Sequence, residues 1–199
     1  MVEKNVQKTY PILLFHPNIP KPLHGLAPRT ILGQYWWKKT KTKAKAELDN
    51  HCWTCGVHSS EAKYHQWLEA HECYSIDYSI GRVEYVGTCA LCHSCHNYIH
   101  DGRMKMLSQK DLDWLTKEEE ILKHGNKLIK QYLKSQKIKY TVGKESTNSV
   151  HLHELYPVKS NKISWCGNGA NWDDYHLVIF GKRYERKHKT YEDWLNFYG

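Results

Sequence analysis

The chain has 199 residues, 40% of them hydrophobic and 25% charged, with a mean hydropathy of −0.73. No apolar run approaches the roughly 18 to 20 residues needed to span a bilayer, which argues against a helical membrane protein. The formal charge of +8 is uneven: residues 1–50 carry 9 basic and 3 acidic side chains, residues 51–107 carry 4 and 6, and residues 108–199 carry 16 and 12. A slightly acidic centre between basic flanks suits a reactive site carried onto a polyanion. Lysine-rich surfaces that merely keep a protein in solution give the same pattern.

Residues 1–50 form a basic, proline-rich N-terminal arm. The short apolar run Ile12–Phe15 lies between Pro11 and Pro17, too brief for the apolar segment of a secretory signal. Five of the six prolines fall within residues 1–35, which predicts an extended arm. Trp36 and Trp37 then precede Lys38, Lys39, Lys41, Lys43 and Lys45. Aromatic rings beside such a run can stack on bases while the lysines neutralise phosphates. Alternatively, the tryptophans anchor the arm and the lysines form a solvated face.

Beyond the dense region 51–107 comes a helical segment, residues 108–136. Ser108 with Asp111, and Thr116 with Glu119, match helix-start patterns, predicting a short helix near 109–115 and a longer one near 117–135. Leu115, Leu122, Ile129, Tyr132 and Leu133 keep helical spacing, and Gly125 weakens the run. Residues 136–150 read as a linker. Residues 150–199 read as a small C-terminal α+β module with Trp165, Trp172 and Trp194 for its core. It holds a hairpin around Gly181-Lys182 and a last helix capped by Thr190 and Asp193 and ending at Tyr198. His151 and His153 alternate in a way that could bind a metal.

Six of the seven cysteines lie within 44 residues, and Cys166 stands apart. Two-residue gaps in a chain with no evident signal peptide indicate metal ligands rather than disulfides. Cys52 with Cys55 and Cys92 with Cys95 are two knuckles that together make a closed tetrahedral zinc site, with Gly56 allowing the tight turn after the first. Cys89 and Cys92 share the same gap, but Cys89 ends a strand-like run, so Cys89 and Cys73 are read as small buried side chains. Between the knuckles, Leu68, Ala70 and Glu72 alternate with Glu69 and His71 on a predicted strand. After the second knuckle, His96 and His100 are four apart, which on a helix places both imidazoles on one face. Half of the 14 histidines fall between residues 51 and 100.

These three segments resemble the HNH nucleases, and most closely their zinc-braced, McrA-like branch. The resemblance covers about residues 50–105, roughly a quarter of the chain. It implies an α+β fold with a zinc-stabilised ββα-metal core, flanked by the arm, the helical segment and the C-terminal module. It implies an endonuclease that hydrolyses DNA phosphodiesters, in the cytoplasm of a bacterial or phage-infected cell. His71 falls where the family has its general base, and His96 and His100 fall where it holds a catalytic Mg2+ or Mn2+ ion. Imidazole ligands would also admit nickel or cobalt. Lys38, Lys39, Lys41, Lys43 and Arg103 are the candidate nucleic-acid contacts, with Arg82 and Lys105 as further phosphate contacts.

Two departures bear on the metal shell. Ala70 stands where many members have an Asp or His ligand, so Glu72, Glu69 or a water must supply that donor. In a register shifted by one, His71 is the ligand and Glu72 the base. No Asn occupies the Tyr85–Thr88 stretch, where the family's middle Asn usually lies; Asn97 is on the helix instead. His96 is an alternative zinc ligand, and His93 is expected to face solvent between the cysteines. His51, His58 and His65 lie near the site without an assigned role. The alternatives to a DNA nuclease are an RNA-directed nuclease and an inactive zinc-knuckle protein that only binds nucleic acid. Nothing in the residues predicts a dimer interface.

Overall fold

The prolines of the N-terminal stretch open helical turns instead of holding the chain extended. In the computed structural model, which describes residues 8–109, 112–137 and 169–198, 3-10 turns cover Pro11–Phe15 and Lys21–Leu23, and helix α1 covers Pro28–Ile31. Each has proline in its first turn, where the missing N–H has no helical acceptor to lose and φ is already set. The extended arm expected over residues 1–35 is thereby corrected for the described residues from 8 onward. Helix α2 follows at Gly33–Ala46, so the Trp-Lys segment is helical.

The fold is mixed α+β. One four-stranded sheet has the order β1 (Glu69–Asp77), β2 (Arg82–Leu91), β3 (His176–Ile179), β4 (Lys182–Glu185). The turn at 78–81 is short enough to allow only an antiparallel return from β1 to β2. β2 pairs with β3 in parallel over Arg82–Glu84 and His176–Val178, and β3 pairs with β4 antiparallel. Phe180 and Gly181 make the last turn, with φ of 50° and 78°; two positive φ values are what a two-residue type I′ hairpin requires. The turn is one residue earlier than expected.

The remaining helices are α3 (His93–Ile99), α4 (Asp101–Ser108), α5 (Leu112–Ser135) and α6 (Tyr191–Tyr198). The short helix expected near 109–115 lies instead at α4, and α5 absorbs residues 112–116. His100 makes the division: its φ of −96° and ψ of 49° leave the helical region between α3 and α4. Gly102 lies inside α4. The Ser108 hydroxyl donates back to the Lys105 carbonyl at 3.1 Å, a bond within the last turn and not an N-cap.

Among the described residues, two compact units share these elements: 8–16, 41–71, 89–109 and 112–137 in the first, and 17–40, 72–88 and 169–198 in the second. In the first, α5 packs on α3, α4 and the Pro11–Phe15 turn, burying Phe15, Ile99, Met104, Ile121, Ile129 and Leu133. Gly125 belongs there for a packing reason: a Cβ at this position would overlap the Tyr98 ring. Gly125→Ala should gain about 1 kcal/mol of helix propensity and lose about 1–3 kcal/mol to overpacking. A lowered melting temperature is expected, and a raised one would contradict this account.

In the second unit, Leu23, Tyr74, Ile76, Val83, Tyr85, Leu177 and Ile179 form the core, with Trp36 against it. The C-terminal strands therefore share a core with residues 19–36 and 74–85; so short a segment cannot bury enough apolar surface alone. Trp36 contacts Tyr85 and Phe180 edge-on, at 5.8 and 6.3 Å between ring centres, so this tryptophan is an anchor. The cap of α6 is as expected: Thr190 N–H donates to Asp193 Oδ2 and Asp193 N–H to Thr190 Oγ1, both at 3.1 Å.

α6 is held through His24, whose Nε2–H donates to the Ile19 carbonyl while Nδ1 accepts from Trp194 Nε1–H, each at 3.0 Å. That arrangement needs a neutral ring. Burial lowers the His24 pKa below its ordinary 6.5; His188 and Lys21 add to this, against the Ile19 hydrogen bond. The contribution is complete above pH 6.5 and is lost as pH falls through the lower folded value. Amide exchange across 191–198, corrected for its intrinsic pH dependence, should accelerate between about pH 7 and pH 5. Equal protection at both would exclude this latch.

The part of the expected linker beyond residue 137, Trp165, Cys166, His151 and His153 lie outside the described residues. Among the described residues, no helix is long and apolar enough to cross a membrane.

Candidate metal centres

The two knuckles converge. The sulfurs of Cys52, Cys55, Cys92 and Cys95 form one group, with the Cys55 and Cys92 sulfurs 3.7 Å apart. Four Zn–S bonds of about 2.3 Å at tetrahedral angles place neighbouring sulfurs about 3.8 Å apart, so the spacing fits zinc. Gly56 turns the first knuckle at φ 75°, with its N–H on the Cys52 carbonyl at 2.9 Å. Trp53 ties this knuckle down: its backbone N–H donates to Ala90 O and its indole N–H to Ala44 O, both at 2.9 Å. Cys89 is buried and outside the group, which settles the choice between the two equal gaps in favour of Cys92 and Cys95.

His124 on α5 adds a contact that local spacing does not reveal. Its Nε2 lies 3.6 Å from the Cys95 sulfur. Burial lowers its pKa, so the ring is neutral at pH 7 and can donate N–H to a thiolate.

His71, His96 and His100 form a second group, their donor atoms all within 4.8 Å of one another. β1 presents His71, α3 presents His96, and the break after α3 presents His100. His71 is thus brought together with the two expected ligands. The His96 Nδ1 lies 2.6 Å from Glu69 Oε2, so the ring donates there and keeps its Nε2 lone pair for a cation. Burial, with His96, His16 and Arg103 nearby, lowers the His100 pKa to about 4, which leaves a neutral imidazole. The donors present therefore fit a divalent ion.

Glu69 was only one of several possible oxygen donors in the sequence, yet it is the hub. It shares a strand face with His71, two residues on. Its Oε1 lies 3.0 Å from His65 Nε2 and 2.8 Å from His93 Nδ1. Burial raises its pKa, but the rings of His93, His96 and His65 at its oxygens outweigh this and hold the carboxyl well below the usual range. His93 is correspondingly not solvent-facing, and His65 acquires a place. His51 and His58 face each other across an isolated bridge and join neither group. His16 is a further addition: it is buried, with Nδ1 3.3 Å from His71 Nε2, and comes from a segment with no local signal of its own.

Glu72 belongs to none of these groups. Its oxygens accept from the Arg29 backbone N–H at 3.1 Å and the Tyr74 hydroxyl at 3.3 Å. Asn97 is buried and bonds the His93 carbonyl at 3.0 Å. Of the candidate nucleic-acid contacts, Lys38, Lys39, Lys43 and Arg103 are exposed and Lys41 is half-buried. On α2, Lys38 and Lys41 share one strip and Lys39 and Lys43 another, so the lysines do not form a single face. Arg82 pairs with Glu84 at 2.9 Å.

The chain matches no family model, no curated protein and no solved structure.

Proposed function

We propose that this chain is a metal-dependent endonuclease of the HNH type, hydrolysing phosphodiester bonds in DNA. The observation that carries the proposal is the convergence of His71, His96 and His100, from a strand and the helical segment after it, next to a four-cysteine centre in the chain. The strand–strand–helix order of β1, β2 and α3 supports a ββα-metal core. In this reading the four cysteines hold structural zinc and brace α3, whose first turn contains Cys95.

His71, His96 and His100 hold the catalytic ion. The grouping favours the shifted register, in which His71 is a ligand and not the base. An ion bound there would supply charge stabilisation at a phosphate oxygen. Glu69 fixes the ring of His96, and His16 lies against His71 and limits its rotation. Glu72, the base this register names, alternates onto the other face of β1 from His71 and bonds the Arg29 N–H and the Tyr74 hydroxyl there. Lys38, Lys39, Lys41, Lys43 and Arg103 supply phosphate contacts. Three imidazoles suit manganese, nickel, cobalt or zinc better than magnesium, which prefers oxygen ligands.

The test is conversion of supercoiled plasmid at low salt with Mn2+, Ni2+, Mg2+ or EDTA. Metal-dependent nicking that EDTA abolishes is expected. DNA that is shifted in a gel but uncut under every metal would overturn the proposal in favour of a binding protein. Cleavage confined to RNA would correct the substrate.

A further inference from the structure

His65, Glu69 and His93 lie outside the three-histidine group and make a triangle of their own. The separations are 3.0 Å from His65 Nε2 to Glu69 Oε1, 2.8 Å from His93 Nδ1 to Glu69 Oε1, and 3.0 Å between the two nitrogens. Bonds of about 2.1 Å to a common ion place neighbouring donors about 3.0 Å apart at right angles and about 3.4 Å apart at the tetrahedral angle. The triangle is thus the size of a coordination shell.

The hydrogen bonds show what faces inward. His65 Nδ1 lies 3.0 Å from the Trp67 carbonyl oxygen, which can only accept, so the proton of a neutral ring is on Nδ1 and Nε2 is bare. His93 Nδ1 lies 3.2 Å from the Asn97 amide nitrogen, a donor, and 2.8 Å from Glu69 Oε1. Glu69 Oε1 is an acceptor. A divalent ion bound here in place of any ring proton would meet three lone pairs about 3 Å apart.

The surroundings hold this geometry. His65 stacks flat on Trp67, with ring centres 3.8 Å apart and 5° between planes. Tyr64, at φ 75°, is tied by its hydroxyl to Glu120 at 2.6 Å. His65 and Trp67 also line an open depression with Ala62, Tyr64 and Gln66.

We propose that His65, Glu69 and His93 form a second divalent transition-metal site, coupled through the Glu69 carboxylate to the ring of His96. Two imidazoles and one carboxylate suit Zn2+, Co2+, Mn2+ or Fe2+, with further positions left for water. The coupling is specific: Oε1 belongs to the new site, while Oε2 holds His96. The inference does not depend on the chain being a nuclease.

The experiment counts metal ions. The full chain carrying zinc at its cysteines is titrated with Co2+, followed by calorimetry and elemental analysis. Two further ions per chain are expected, with spectra lacking thiolate charge transfer. His65→Ala should lose one of them and retain the other, and His100→Ala should lose the other. Glu69→Gln should weaken both by at least about tenfold, as loss of a shared carboxylate partner does. His65 lies outside the knuckles, so retained zinc and an unchanged circular dichroism spectrum show that the variant is folded. Wild type taking up only one further ion, or His65→Ala binding as wild type does, would overturn the second site. Absence of nicking in an otherwise three-ion protein would overturn only the nuclease proposal.

Discussion

Replacing Cys92 with Ser is expected to abolish metal binding at the four-cysteine centre and unfold the unit built from residues 8–16, 41–71, 89–109 and 112–137. Cys92 is buried, and its sulfur lies 3.7 Å from that of Cys55 in a group of four. Little else nearby could take over. The segment around the first knuckle is held by a few backbone bonds, and the segment after the second begins α3 directly. Structural zinc contributes about 10–16 kcal/mol in zinc-finger peptides, while whole domains are stable by only about 5–15 kcal/mol. Loss of the metal therefore outweighs any plausible reserve. Zinc content should fall to zero, and exchange protection in α3 and α5 should disappear. Because thiolates are the ligands, acidification should release zinc as well. Full protection of α3 in a zinc-free Cys92→Ser protein would show that packing on α5 suffices.

The second large effect separates ligand from base. Under the nuclease proposal, His71→Ala and His100→Ala should each abolish metal-dependent nicking and also weaken metal binding by more than the roughly 10–100-fold that loss of an outer-shell partner costs. Glu72→Gln should leave metal binding intact; a fall in cleavage rate of about 10^2–10^4-fold, the range for a general base, would assign it that role. His71→Ala that binds metal normally but does not cut would return His71 to the role of base. A Glu72→Gln enzyme of wild-type rate would leave Glu72 a structural acceptor for Arg29 and Tyr74. Measuring affinity and rate on the same variants is what makes the outcomes distinct.

Much of this molecule is written in local pattern, and its physical basis is short-range. A two-residue gap between cysteines is enough to direct two thiolates at one ion, so Cys52, Cys55, Cys92 and Cys95 were legible before any fold was known. Spacing of four likewise predicted His96 and His100 on one side, and the Thr190–Asp193 cap is a contact between residues three apart. The same local logic misplaced elements where sequence alone leaves two outcomes. Proline breaks helix interiors but also begins helices, and the arm took the second course. Gly125 costs helix propensity in isolation, but packing against Tyr98 reverses its value.

Tertiary structure alone decided which distant groups share charge and lone pairs. His16 reaches His71, and His124 reaches Cys95, across 55 and 29 positions. Glu69 becomes a hub only when α3 brings His93 and His96, and the segment before β1 brings His65, to its two oxygens. No periodicity encodes such meetings. They arise because burying apolar faces fixes where strand and helix lie, and the polar side chains carried with them must then find partners at close range.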